Sequence, residues 1–497
     1  MTRLVPLPLV LPLVGAAVAI LTGRSRTIQR VVSLTVLSLT LVCSVILLVE
    51  VDRSGTLVAH GGGWAAPMGI VLVADRFAAV MLVVATAVLL AVAVFAIGEP
   101  STERNHVAFQ SVYLILAAGV SGAFLTGDLF NLFVSFELML TASYVLITLG
   151  GRRAQVRSGM TYIVISLVAS SLFVTALALL YAATGTLNMA DLSTKIATVS
   201  PGLRQAFALL LLGVFGIKAA IFPLFFWLPD SYPLAPSPIT AIFAGLLTKV
   251  GLYAIVRTQL LLFAPDLPTG VLLWVAGLTM VVGVLGAIAQ DDLKRILSFT
   301  IVSQIGFMIM GLSFGTVAGI AALVYSMVHH VVVTTALFCA GGLVEFAGGS
   351  SQLKRIGAML RSAPLVALLF LLPALSIAGI PPFSGFISKL SLVIAGFGAN
   401  RAIIVSVALG VSLLTLYAMM RIWVGAFWSP HEESVPTVNP NQVGRFGAPA
   451  LMIAPTAALV AATLVIAAAA GPIFSFSERT AADLAHPRTY VSAVIDR

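Results

Sequence analysis

The sequence predicts an all-α integral membrane protein, a single polytopic domain over residues 1–497 with about fourteen transmembrane helices, two inverted five-helix repeats and two broken helices. Three observations predict it. Hydrophobic residues fill 60% of the 497 positions and charged residues 9%, more apolar material than a soluble core can bury, although lipid can solvate it from every side. The apolar residues gather into stretches of roughly 20, the length that crosses the hydrocarbon layer as a helix, and few segments between them are long enough to fold alone. Two of the stretches are interrupted by proline, five spans apart.

The first span, 4–22, has Arg24, Arg26 and Arg30 after it and no basic region before it. That is the reverse of a secretory signal peptide, so the span is expected to stay, with the N-terminus outside. Spans 29–49, 70–97 and 109–126 are apolar runs, and 128–149 is one apart from Glu137, about nine residues in. Span 160–184 follows the arginine group Arg152, Arg153 and Arg157. Span 203–228 contains Pro223, which removes a backbone donor and kinks or breaks the helix. Span 237–256 encloses Lys249; 270–289, 295–313 and 317–346 follow, the last interrupted by His329 and His330. Span 363–398 is broken at Pro381 and Pro382, between Gly379 and Gly385, and 402–428 and 447–472 precede a C-terminal tail at 473–497. The paired breaks suggest a first repeat over 109–256 and a second over 270–428, a design that secondary transporters build around a midplane site.

With the N-terminus outside, Arg24, Arg26, Arg30, Arg152, Arg153, Arg157, Lys294, Arg295, Lys354, Arg355 and Arg361 all fall on the cytoplasmic side, in keeping with the positive-inside rule. The same rule accounts for the net charge of +9, so no nucleic-acid partner is expected. Cys43 and Cys339 lie in separate spans without paired spacing, which favours neither a disulfide nor a metal site. No phosphate-binding loop, zinc spacing or nucleophile elbow is present, and no cofactor is expected.

The informative residues are the charges inside the spans. Of six lysines, Lys218, Lys249 and Lys389 lie within expected spans, and no arginine is expected as deep. A desolvated ammonium can release its proton near neutral pH, while a guanidinium stays charged. Glu137 should lie well below the interface, where a charge costs roughly 2.5–3.5 kcal/mol on insertion scales and therefore faces a cavity or a partner. Lys218, beside the Pro223 break, is the expected ion-pair partner. His329 and His330 add imidazoles that titrate near physiological pH and can pass a proton between two nitrogens. Asp75, Asp128 and Asp230 stand near span ends and are expected to be interfacial or capping.

Around these residues the sequence resembles the antiporter-like family shared by the large membrane subunits of respiratory complex I, membrane-bound hydrogenases and multisubunit Mrp cation/proton antiporters. The resemblance rests on Gly127-Asp-Leu-Phe-Asn-Leu-Phe-Val-Ser-Phe-Glu137, on Lys218 followed by Pro223 and Trp227-Leu-Pro-Asp230, on Ala235-Pro-Ser-Pro238 leading to Leu247-Thr-Lys249, and on Gly379-Ile-Pro-Pro-Phe-Ser-Gly-Phe-Ile-Ser-Lys389. It implies that Glu137 and Lys218 form a coupling pair and that Lys249, His330 and Lys389 continue a polar axis. The chain departs from many relatives at Thr334, where they carry a lysine, so the centre of the axis would lean on His329, His330 and water. Within the family, the run through Glu137 and the segment 230–238 are most similar to the D-type subunits of Mrp antiporters.

The resemblance therefore implies a proton-translocating subunit of a Na+/H+ antiporter in the cell membrane, assembled with other membrane subunits and driven by the proton gradient. Two other readings compete with it. One is a proton-pumping membrane subunit of an NADH:quinone oxidoreductase or hydrogenase, with the same buried residues and redox energy from other subunits. The other is a scaffold that carries no ions, against which three lysines inside spans argue, since apolar packing would be cheaper.

Overall fold

The computed structural model describes residues 2–23, 25–99, 108–151, 153–430 and 448–495. Arg24 and Arg152, expected on the cytoplasmic side, lie outside the described residues.

The chain is a helical bundle. In order it forms α1 (Leu7–Leu21), α2 (Arg26–Ser54), a hairpin of β1 (Leu57–His60) and β2 (Val71–Ala74), α3 (Arg76–Gly98), α4 (Phe109–Leu125), α5 (Leu129–Thr148), α6 (Arg153–Thr184) and the short α7 (Met189–Lys195). Then come α8 (Pro201–Ala219), α9 (Trp227–Ser231), α10 (Ser237–Leu261), α11 (Thr269–Ile288), α12 (Leu293–Ser313) and α13 (Val317–Gly348). The rest is α14 (Pro364–Ala378), α15 (Ser384–Gly398), α16 (Ala402–Trp428), α17 (Ala450–Ala468), α18 (Ala470–Ala485) and α19 (Arg488–Ile495). Among the described residues 12 helices are long and apolar enough to cross a membrane; α4, α14 and α15 are shorter apolar helices. One expectation fails locally: residues 71–74, assigned to a span by hydropathy, pair antiparallel with 57–60 as a strand, and α3 begins only after Asp75. Four β-branched and aliphatic residues in a row carry no periodicity that separates strand from helix.

Burial sorts the helices. α10, α12 and α13 are enclosed by the others along nearly their whole length, whereas α1, α2 and α16 leave most of their apolar surface outward, where lipid solvates it. Polar side chains carried by the enclosed helices thus meet protein and not lipid.

Both expected breaks occur. α8 ends where Ala220 turns left-handed at φ 58, with Ala220 N donating to Ile217 O at 3.2 Å and Ile221 N to Gly216 O at 3.1 Å. α14 ends the same way at Gly379, φ 88, with Gly379 N donating to Ser376 O at 3.0 Å and Ile380 N to Leu375 O at 3.1 Å. These are Schellman closures, which cover carbonyls that a helix end would leave bare. Groups freed at the first break find partners as well: Trp227 Nε1 donates to Ile217 O at 3.0 Å, and Phe222 N to Thr279 Oγ1 of α11 at 3.0 Å. Glycine is the residue suited to the left-handed position, so Ala220→Gly should leave the fold intact and raise thermal stability in detergent by up to about 1 kcal/mol.

Helix starts are capped by the residues that favour it. Asp75 accepts from Ala78 N, Asp128 from Phe130 N and Asn131 N, and Asp292 from Arg295 N, as expected for the first two. A repeated tie accompanies two of these caps. Leu129 N donates to Leu187 O and Met189 N to Gly127 O, each at 2.9 Å; Leu293 N donates to Ser351 O at 2.9 Å and Leu353 N to Asp291 O at 3.0 Å. The first tie joins the start of α5 to the turn after α6, and the second joins the start of α12 to the turn after α13.

Candidate functional site

α6 packs against both α5 and α8 and carries the side chain that joins them. Ser170 donates its hydroxyl to Glu137 Oε1, and Lys218 Nζ donates to Ser170 Oγ and to Ser166 O, each at 3.4 Å. The sequence suggests a direct ion pair between Glu137 and Lys218; the two meet through Ser170 instead, because α6 stands between their helices. Lys218 lies in the last turn of α8, where the helix dipole favours a cation. Its ammonium also lies 5.9 Å from the Phe136 ring. A cavity of about 10 Å³ opens beside it, lined by Met139, Tyr162, Ser166, Lys218, Trp227 and neighbours, enough for one water. The chain of donors runs one way, from ammonium to hydroxyl to carboxylate, so a shift of two protons carries one charge from Lys218 to Glu137. Ser170→Ala should slow any proton movement through this pair by about tenfold, and Ser170→Thr should restore it, read as initial exchange rate at equal protein level.

Lys249 is buried in α10 just past Phe243–Leu247, where the helix widens into a π turn, and Nζ donates to Ala244 O within that turn at 2.7 Å. Such bulges recur at functional sites because they re-aim side chains and backbone groups. Farther along, His329 Nδ1 pairs with Ser384 Oγ at 2.9 Å, and Ser384 Oγ with Ser376 Oγ at 3.3 Å across the break between α14 and α15. The His330 ring lies 5.0 Å from that of His329. Lys389 Nζ donates at 3.0 Å to Ala378 O, the last residue of α14, and lies 4.9 Å from the Phe307 ring. Lys218 and Lys389 are therefore both held at the C-terminal end of a broken helix.

The fold thus joins Glu137 to Lys218, and joins His329 through two serines to the second break. Among the described residues no direct hydrogen bond links Lys218 to Lys249, Lys249 to His330, or His330 to Lys389.

One buried ion pair and one half-buried pair have no counterpart in the sequence reading. Arg257 and Asp75 form a two-pronged bridge of 2.6 and 2.7 Å; Arg257 Nη2 also donates to Tyr253 OH at 2.9 Å, and its guanidinium stacks on Phe77, Tyr253 and Tyr490. Arg257 is 4% exposed, in the last turns of α10, a buried arginine near the end of its span. The available signal is its spacing from Lys249 and Tyr253, which puts all three along one face of the helix. Lys294, expected among the cytoplasmic charges, is buried and pairs with Glu345 at 2.6 Å, while Ser237 donates to the same carboxylate at 2.7 Å. Asp230 is exposed and pairs with Arg295 at 3.0 Å.

The family described as NADH:quinone oxidoreductase/Mrp antiporter, TM matches residues 126–415. The chain is 44% identical over 498 residues to the D-type subunit of the Na(+)/H(+) antiporter of Alkalihalophilus pseudofirmus, with 100% of both chains covered. Its fold superposes on a chain of the Mrp complex from Dietzia sp. DQ12-45-1b with a TM-score of 0.92, 33% identity and 100% of both chains covered. A chain of the membrane-bound sulfane sulfur reductase, an archaeal respiratory membrane complex, superposes with a TM-score of 0.89 at 27% identity, over 99% of this chain and 100% of that one.

Proposed function

The chain belongs to the NADH:quinone oxidoreductase/Mrp antiporter family of membrane proteins, and from that premise we propose that it is the D-type member of a multisubunit Na+/H+ antiporter of the cell membrane. The observation that carries this reading is full-length similarity to a D-type antiporter subunit. Protons move along Glu137, Lys218, Lys249, His329, His330 and Lys389, while partner membrane subunits complete the complex.

The mechanism is electrostatic. With Glu137 ionised and Lys218 charged, the pair is held through Ser170. A proton arriving at Glu137 removes the carboxylate's attraction and frees the Lys218 ammonium to act on Lys249 across the α8 and α10 contact. The disturbance continues through the histidines to Lys389, which returns its proton to the other side. Coupling of this kind needs each charge to be held by groups that can let it go. A lone hydroxyl and single backbone carbonyls suit that better than a two-pronged guanidinium pair.

Two inverted repeats, 109–256 and 270–428, frame this path. The reading is supported by the twin backbone ties at Leu129 and Leu293 and by the identical closures at Ala220 and Gly379. The N-terminus lies outside, which puts the β1–β2 hairpin outside and Asp230, Lys354 and Arg355 in the cytoplasm.

A second reading, a redox-driven proton pump, draws its support from the likeness to a chain of a respiratory membrane complex. Everted vesicles from an antiporter-deficient host carrying the whole gene cluster separate the two. Sodium added without respiratory substrate should change internal pH under an imposed proton gradient. Proton movement that requires an electron donor and ignores sodium would put the redox pump in its place.

A further inference from the structure

Two of the three breaks in the polar axis lie between Lys249 and Lys389, on either side of His330. α13 runs antiparallel to α12 on one side and to α10 on the other, and close glycine contacts give both registers. Gly311 of α12 meets Gly319 and Leu323 of α13, and Gly341 of α13 meets Leu293 at the other end of α12. Counting inward from these crossings brings Gln304 opposite the turn Ser326 to His330. On the other side Gly342 meets Ser237 and Gly245 meets Thr335, which brings Thr248 and Lys249 level with His330 to Val332.

Gln304 also shares a face with the second half of the axis. Phe307, one turn on, lies under Lys389, and Gly311 touches Leu392 of α15. At this level three helices each bury a polar group that finds no hydrogen-bond partner among the described residues: both amide atoms of Gln304, Thr248 Oγ1 and His330 Nδ1. Gln304 is 1% exposed and His330 3%. Buried polar atoms are almost always satisfied, and an amide left bare is costly. Three such groups at one level, between two lysines, mark a place whose partner is exchangeable, and water is the molecule that fits donors and acceptors of both kinds.

We propose that Gln304 is a positioning residue of the proton relay: with Thr248 and His330 it orients water that carries protons between Lys249 and Lys389. The proposal rests on the antiporter reading. The amide accepts a hydrogen bond at its oxygen and donates one at its nitrogen, and neither gains nor loses a proton itself. His330 exchanges the proton at Nδ1, facing Lys249, Lys389 and His329.

The test is sodium-driven exchange by the whole complex in vesicles, comparing wild type with Gln304→Leu, Gln304→Glu and Glu137→Ala at equal assembly. Gln304→Leu should lower the maximal rate by at least about tenfold with the apparent KM for Na+ unchanged. Gln304→Glu keeps an acceptor at all pH and a donor only when protonated, so it should recover most of the rate where the carboxyl is protonated and shift the pH profile, since a titratable group now adjoins the water. Wild-type exchange in Gln304→Leu with Glu137→Ala inactive overturns the proposal and leaves the antiporter reading standing; wild-type exchange in both overturns the proposal and the path through Glu137, and a wild type without sodium-driven exchange overturns the antiporter reading. Equal loss in the leucine and glutamate variants, with an unmoved pH profile, means a packing role and also overturns the proposal. Should Gln304→Leu fail to assemble, the unbranched Gln304→Met decides in its place by the same criteria.

Discussion

Replacing Glu137 by alanine is expected to cut sodium-driven proton exchange by roughly 10²-fold or more, the scale of losing a positioned proton-transfer group, while the complex assembles in normal amount. Glu137 is the carboxylate end of the Ser170 bridge, so without it Lys218 loses the charge that holds it and whose protonation would release it. Meanwhile a half-buried acid inside a span costs energy that alanine does not, so the fold has no reason to fail. The measurement is initial exchange rate per assembled complex, with Lys218→Ala alongside. Loss of assembly in both variants would mean that the pair is a static brace between helices and not part of a path.

The second large effect has the opposite character. Arg257→Ala is expected to destabilise the fold by about 3–5 kcal/mol, because it leaves Asp75 charged, buried and without its two-pronged partner. Asp75 also caps α3, and Arg257 anchors Tyr253 and Tyr490 by stacking, so the damage should extend to the packing of α19. Thermal unfolding in detergent measures it, as a fall in midpoint or loss of recoverable protein. The double replacement Asp75→Leu with Arg257→Met removes both charges and should recover much of the loss. A single Arg257→Ala variant as stable as wild type would show that the pair contributes nothing net.

The contrast between these two sites follows what a membrane sequence can display. The helical bundle, both breaks and the six titratable residues proposed for the proton path are visible in the chain itself, because lipid makes every charge inside an apolar run conspicuous and proline makes every break so. Hydropathy does not show what connects them. Ser170 is one serine among several in α6, and only the placement of α6 between α5 and α8 makes it the bridge. Asp75 and Arg257 lie 182 residues apart, each at the end of an apolar run where charges are ordinary, and nothing local signals that they meet. Gln304 carries no charge and so is not singled out by a search for ionisable groups inside the spans, although its bare amide is costly to bury. Strand β2 hides within an expected span for a related reason, since an unbroken aliphatic run carries no period.

The most direct test is exchange by the purified wild-type complex in sealed proteoliposomes, with no electron donor, driven by a sodium gradient and followed with a pH-sensitive dye beside the Glu137→Ala complex. The wild type should show a sodium-dependent pH change that an uncoupler collapses and that Glu137→Ala lacks. A wild-type complex that moves no protons under a sodium gradient, or a Glu137→Ala complex that moves them as fast as wild type, would contradict a proton path through Glu137.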